Sequence, residues 1–88
     1  MVSAKVKVIN PQGLHMRPAQ LFATEASRYP CGVTVVFGGA AVDSKSAMNL
    51  MALRVRQGSV IEIRCDGPRE TEALAAATAL VESGLGDI

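Results

Sequence analysis

The chain holds one histidine, His15, and an arginine stands two residues after it. The segment Gly13-Leu14-His15-Met16-Arg17-Pro18-Ala19 follows the turn-forming run Asn10-Pro11-Gln12 and opens a stretch of helical periodicity. This places an imidazole at a helix N-terminus. There the helix dipole and Arg17 both disfavour the imidazolium, so the ring stays neutral and keeps a nitrogen lone pair for nucleophilic attack. First-turn N–H groups have no intrahelical acceptor and form an anion site. Pro18 has no N–H, which leaves the amides of Met16, Arg17 and Ala19 as the expected cradle for an anion carried on the ring. Arg17 adds a guanidinium fork suited to phosphate. A ring that is neutral before transfer and whose anionic adduct is held afterwards describes a reversible phosphoryl carrier, with His15 as nucleophile and Arg17 as charge clamp.

Other chemistries find less support. A His-x-Arg pair alone is a weak signal, because a lone histidine in a small domain is most often a surface or capping residue. Metal binding lacks a second histidine, and Cys31 and Cys65 lie far off in sequence. Asp43, Ser44 and Ser46 show no spacing that demands a hydrolase triad.

The elements that must position His15 follow from periodicity. Lys5 to Ile9 alternates and reads as a strand with Val6 and Val8 inward. A helix is expected from Met16 to about Ser27, with Ala19, Phe22, Ala23 and Ala26 as its apolar stripe and Tyr29-Pro30 as its stop. The residue before a proline is biased away from helical dihedrals, so Arg17 is expected to be slightly unusual in backbone. Gly32 to Phe37 is β-branched, Gly38-Gly39 is a hairpin signal, and Ala40 to Asp43 is the returning strand. Ser46 is a natural N-cap for a short helix through Leu53. That helix carries Met48, Leu50, Met51 and Leu53, too many apolar residues for one narrow stripe. They either all fill the core or leave some methionine and leucine exposed as an adaptable contact surface. Ser59 to Cys65 is a fourth strand, with Ile61 and Ile63 on one face and Glu62 and Arg64 on the other. Asp66-Gly67-Pro68 turns into a last helix, with Glu70 and Glu72 in its first turn, Leu74, Ala77 and Val81 along its stripe, and Gly84 as its stop. The order β-α-β-β-α-β-α indicates an α+β domain with one antiparallel sheet and its helices on one face.

With 88 residues and no repeat or linker, the chain is expected to form one domain, 1–88. A net charge of +1 and only three aromatic residues, Phe22, Tyr29 and Phe37, argue against nucleic acid as the main partner. Both cysteines read as small core hydrophobes. No signal peptide or membrane-length apolar run is visible, so membrane insertion is not expected and the cytoplasm is.

Residues 13–19 resemble the active-site signature of the HPr family, the histidine-containing phosphocarriers of the bacterial sugar phosphotransferase system. The run Ser44-Lys45-Ser46-Ala47-Met48-Asn49-Leu50-Met51-Ala52-Leu53 resembles the family's second signature, at the family spacing. The resemblance covers essentially the whole chain. It implies an open-faced β-sandwich, a four-stranded antiparallel sheet in order 1-4-2-3 with three helices on one side, and no cofactor. It implies that enzyme I phosphorylates His15 on Nδ1 and that the IIA domains of sugar permeases receive the group, so the protein is a carrier and not a complete enzyme. Ser46 matches a regulatory serine that HPr kinase/phosphorylase modifies in many Gram-positive bacteria, and the modified form there acts with a catabolite-control transcription factor. Phosphoserine at an N-cap would not unfold the helix; it would change the charge of a surface shared with enzyme I.

The partner surface implied by the resemblance includes Gln20, Lys45, Ala47, Met48 and Met51. Positive charge for a partner is expected from Arg17, Arg28, Lys45, Arg54 and Arg56. Met16, Gln20 and Asn49 depart from the family's usual choices, as do Thr24 and Ser27 on the first helix, which bears on partner preference. The segment from Gly67 to Gly84 is also similar to the nitrogen-branch paralogue. The alternative function is therefore a nitrogen-branch or mainly regulatory protein.

Overall fold

Strand alternation builds the scaffold, and pairing extends it. The computed structural model describes residues 1–86. Strands β1 (Val2–Lys7), β2 (Gly32–Phe37), β3 (Ala40–Asp43) and β4 (Val60–Asp66) form one antiparallel sheet in the order β1-β4-β2-β3. Val6 lies opposite Ile61, Val33 opposite Cys65 and Val35 opposite Ile63, so successive inward residues stack into one buried layer. The other face carries Lys5, Glu62 and Arg64, with a Glu62–Arg64 ion pair at 3.1 Å. β1 begins at Val2, earlier than alternation alone suggests. Val2, Ser3 and Ala4 are weak strand formers, and their pairing with Cys65, Arg64 and Ile63 holds them extended.

Gly38 and Gly39 both adopt positive φ, 58° and 83°, the geometry that a two-residue turn with the twist of its flanking strands requires. Phe37 and Ala40 then face each other across the hairpin.

The three helices pack on the inward face. Helix α1 (Met16–Ala26) buries Ala19, Phe22, Ala23 and Ala26 as its periodicity predicts, together with Pro18. Arg17 stays helical before that proline and keeps negative φ, against the expected deviation. Helix α2 (Ala47–Ala52) resolves the question of its four large apolar residues. Leu50 is fully buried, Met51 and Leu53 are half-buried, and Met48 is 80% exposed. Helix α3 (Glu70–Glu82) buries Ala73, Ala77 and Val81, while Leu74 is only half-buried. Its inner stripe is thus rotated by one residue from the expected one. Ala73 and Ala77 let the helix backbone approach β1 and β4 closely, and Leu74 covers the flank. Among the described residues, no helix is long and apolar enough to cross a membrane.

Candidate functional site

The loop before α1 is pinned at several points, and each has a sequence cause. The Asn10 side-chain amide donates to the Gly13 carbonyl at 2.7 Å, and the Gly13 N–H donates back to the Asn10 carbonyl at 3.1 Å. Gly13 has φ +59°, and a β-carbon there would run into the Val55 carbonyl. Leu14 is buried, and its N–H donates to that same carbonyl at 3.1 Å. The chain then enters α1 with His15 as N-cap residue in an extended conformation, φ −79° and ψ −175°. The imidazole is exposed and makes no capping hydrogen bond. A residue type poor at capping thus occupies a position where serine or aspartate would bond the first turn.

The first-turn amides divide into two kinds. Among the described residues, those of Met16 and Arg17 have no acceptor in the fold. The amide of Ala19 donates to the His15 carbonyl at 2.9 Å. The expected cradle of Met16, Arg17 and Ala19 is corrected to Met16 and Arg17, because the N-cap carbonyl takes the N–H four residues on as the first helical bond.

A pocket of about 270 Å³ opens beside His15, walled by Met51, Arg54, Val55 and Arg56. Arg17 projects elsewhere, into an adjoining groove with Gln20, Leu21 and Thr24. The imidazole therefore has arginines in two directions. Arg54 has φ +57°, the left-handed region, at the turn that ends α2, where glycine is the usual occupant. A side chain there costs about 1–2 kcal/mol. Nothing in residue type marked Arg54 as strained; the signal was the want of a glycine between Leu53 and Gly58 at a place where a short helix must stop.

The cations divide cleanly. Arg28 pairs with Glu25 at 3.8 Å, Arg64 with Glu62 at 3.1 Å and Arg69 with Glu72 at 2.9 Å. Arg17, Arg54 and Arg56 are exposed, and among the described residues no carboxylate pairs with them. Lys45 is half-buried, and its Nζ donates to the Tyr29 carbonyl at 2.9 Å, tying the end of α1 to the approach of α2. Two expected surface cations, Arg28 and Lys45, are thus engaged inside the fold, and the free positive charge gathers around His15.

Ser46 is the N-cap of α2, and its Oγ accepts from the Asn49 N–H at 3.4 Å. The approach is fixed beneath it by the buried Ser44 hydroxyl, which donates to the Val33 carbonyl at 2.8 Å. Ala47 is half-buried and Gln20 exposed. Met48 and Met51 stand one turn apart on α2, where side chains share a face, and Met51 reaches the His15 pocket. Glu70 does more than answer the α3 dipole. It accepts from the Gly67 N–H at 3.0 Å, and that bond, with the chain's amino group at 3.1 Å, holds its carboxyl below the ordinary glutamate range. Among the described residues no group of three or more histidine, cysteine or acidic side chains could hold a metal ion.

Comparison with known proteins bears on this arrangement directly. Residues 2–83 match the family described as the PTS HPr component phosphorylation site. The phosphocarrier protein HPr of Neisseria meningitidis is 37% identical over 87 residues, covering 99% of this chain and 98% of that one. The HPr-like protein Crh of Bacillus subtilis is 40% identical over 82 residues, covering 93% and 96%. The crystal structure of HPr-C-His from Thermoanaerobacter tengcongensis superposes with a TM-score of 0.95 at 36% identity, over 100% of this chain and 99% of that one.

Proposed function

The chain belongs to the HPr family of phosphotransferase-system phosphocarriers, and from that membership we propose that His15 accepts a phosphoryl group from phospho-enzyme I and passes it to the IIA domains of sugar permeases. HPr proteins are carriers and not complete enzymes. The observation that carries the reading is an exposed His15 at the start of α1 with no capping bond of its own, beside two unengaged amides and unpaired arginines.

The chemistry then has few parts. The neutral ring nitrogen attacks phosphorus in line, and the bond from phosphorus to the donor breaks as the N–P bond forms. The Met16 and Arg17 amides take phosphoryl oxygens, aided by the helix end, and the Arg17 guanidinium swings in from its groove to spread the charge. The same contacts loosen in reverse when a IIA domain supplies the next nucleophile. Phosphoenolpyruvate, enzyme I and this protein should together give acid-labile phosphate on the chain. No label, or label that survives His15→Ala, refutes the reading. Running sugar-branch and nitrogen-branch enzymes side by side separates the two branches by rate.

A second role is supported by Ser46. Its hydroxyl lies at the N-cap of α2, beside exposed Met48. A phosphate there keeps the cap and adds negative charge to the docking face. HPr kinase/phosphorylase with ATP should modify Ser46 and slow transfer to His15, and the modified form would serve a catabolite-control transcription factor. An unmodified product confines Ser46 to capping.

A further inference from the structure

We propose that Arg54 and Arg56 form, with His15, a pocket that receives carboxylates on the surface of the protein donating the phosphoryl group. This rests on the carrier reading above. Three observations converge on it. Arg54 and Arg56 wall the same pocket of about 270 Å³ that His15 lines. Both are exposed and unpaired, whereas each arginine outside the His15 region has a carboxylate of its own. Arg54 holds its guanidinium there from a left-handed backbone position that suits glycine better. Strain kept at a functional pocket is a reason to look for a ligand.

The ligand must be anionic, and a protein surface fits better than a free ion. The pocket is open, and isolated exposed charges hold a small anion weakly in salt water. Several carboxylates on one rigid surface share a single cost of association. Arg17 lies on the other side, in the groove with Gln20, and is free to follow the phosphoryl group itself. The two directions of positive charge thus take separate tasks: Arg17 answers the transferred group, and Arg54 with Arg56 answers what surrounds it on the donor. Oriented charge of this kind acts on encounter and register more than on the chemical step.

The test is the initial rate of phosphoryl transfer from phospho-enzyme I to the full chain, at low and physiological salt. The variants are Arg54→Gly, Arg56→Gln and the pair combined. Arg64→Gln serves as control, since it removes an equal charge on the far face of the sheet. Arg54→Gly suits the backbone, so folding is preserved. The combined variant should raise KM for this chain about five-fold at low salt, leave kcat within about two-fold, and flatten the salt dependence. Arg64→Gln should leave all three unchanged. A combined variant that behaves like Arg64→Gln, while wild type is labelled normally, overturns the docking role alone. Absence of label on wild type overturns the carrier reading and the docking role with it. Binding of inorganic phosphate at sub-millimolar concentration to Arg54 and Arg56, read by NMR shifts, would assign the pocket to a free anion and also overturn the proposal.

Discussion

The Leu14 N–H donates to the Val55 carbonyl at 3.1 Å, and the same carbonyl occupies the space that a β-carbon on Gly13 would need. One backbone oxygen therefore sets the distance between the loop that carries His15 and the loop that carries Arg54 and Arg56. The two signature segments of the chain meet through it. The His15 pocket is the gap left between them.

Gly13→Ala should disturb both loops together. The substitution meets a backbone oxygen, which cannot rotate away, and a φ of +59° that alanine disfavours. A loss of about 2–3 kcal/mol is expected in urea denaturation. Amide shifts should appear at Val55 and Arg56 as well as at Leu14 and His15. A variant as stable as wild type with shifts only at residues 12–15 would show that the contact yields without cost.

His15 illustrates a conflict between stability and chemistry. Its side chain forms no cap bond at a position where aspartate or serine would. His15→Asp should raise stability by about 0.5–1 kcal/mol and abolish phosphoryl acceptance. Thermal melts and the labelling assay on the same preparation check both halves. A destabilised His15→Asp would mean that the imidazole contributes to packing that its exposure does not suggest.

How much of this was legible in the sequence depends on how local each feature is. The alternation along β4, the Gly38-Gly39 turn, the α1 stripe and the Ser46 cap each arise from neighbouring residues, and each is found where periodicity places it. Ala73 displacing Leu74 from the α3 interface is not local. It depends on how near the helix comes to β1 and β4, which small side chains decide only once those strands are in place. His15 and Arg17 were readable from type and spacing. Withdrawal of the Ala19 amide follows from the N-cap carbonyl and needed the helix start to the residue. The pairing states of Arg28, Lys45, Arg54 and Arg56 were unreadable, since a charged residue's partner is a matter of tertiary position.

Ser46→Ala tests the cap without touching the core. The Oγ to Asn49 N–H distance of 3.4 Å marks a long bond, so the loss should fall near the low end for N-caps, about 0.5 kcal/mol. Ser46→Asp should recover that loss, because a carboxylate caps as well and adds charge near the helix start. It should also slow transfer from enzyme I if phosphate at this position interferes with docking. Equal transfer rates for Ser46→Ala and Ser46→Asp would remove charge as the cause of any regulation there.

Cys65 gives the fold a pH dependence at its alkaline end. The thiol is fully buried opposite Val33, and burial, with Cys31 beside it, pushes its pKa up from 9.0 to about 11. The folded chain keeps a proton that the unfolded chain releases once the pH passes 9.0. This contribution to stability is therefore complete below pH 9.0 and is lost as the pH rises toward about 11. Other groups titrate in the same range, so the readout is a difference. Urea midpoints of wild type and Cys65→Val should run parallel from pH 7 to 9, and wild type should fall away faster above it. Val33 already faces the site, and valine is close to cysteine in size, so the variant should fold. Iodoacetamide at pH 8 should also label Cys65 only at the rate of unfolding. Parallel curves through pH 10.5, or prompt labelling of the native protein, would show that the thiol reaches solvent without the sheet opening.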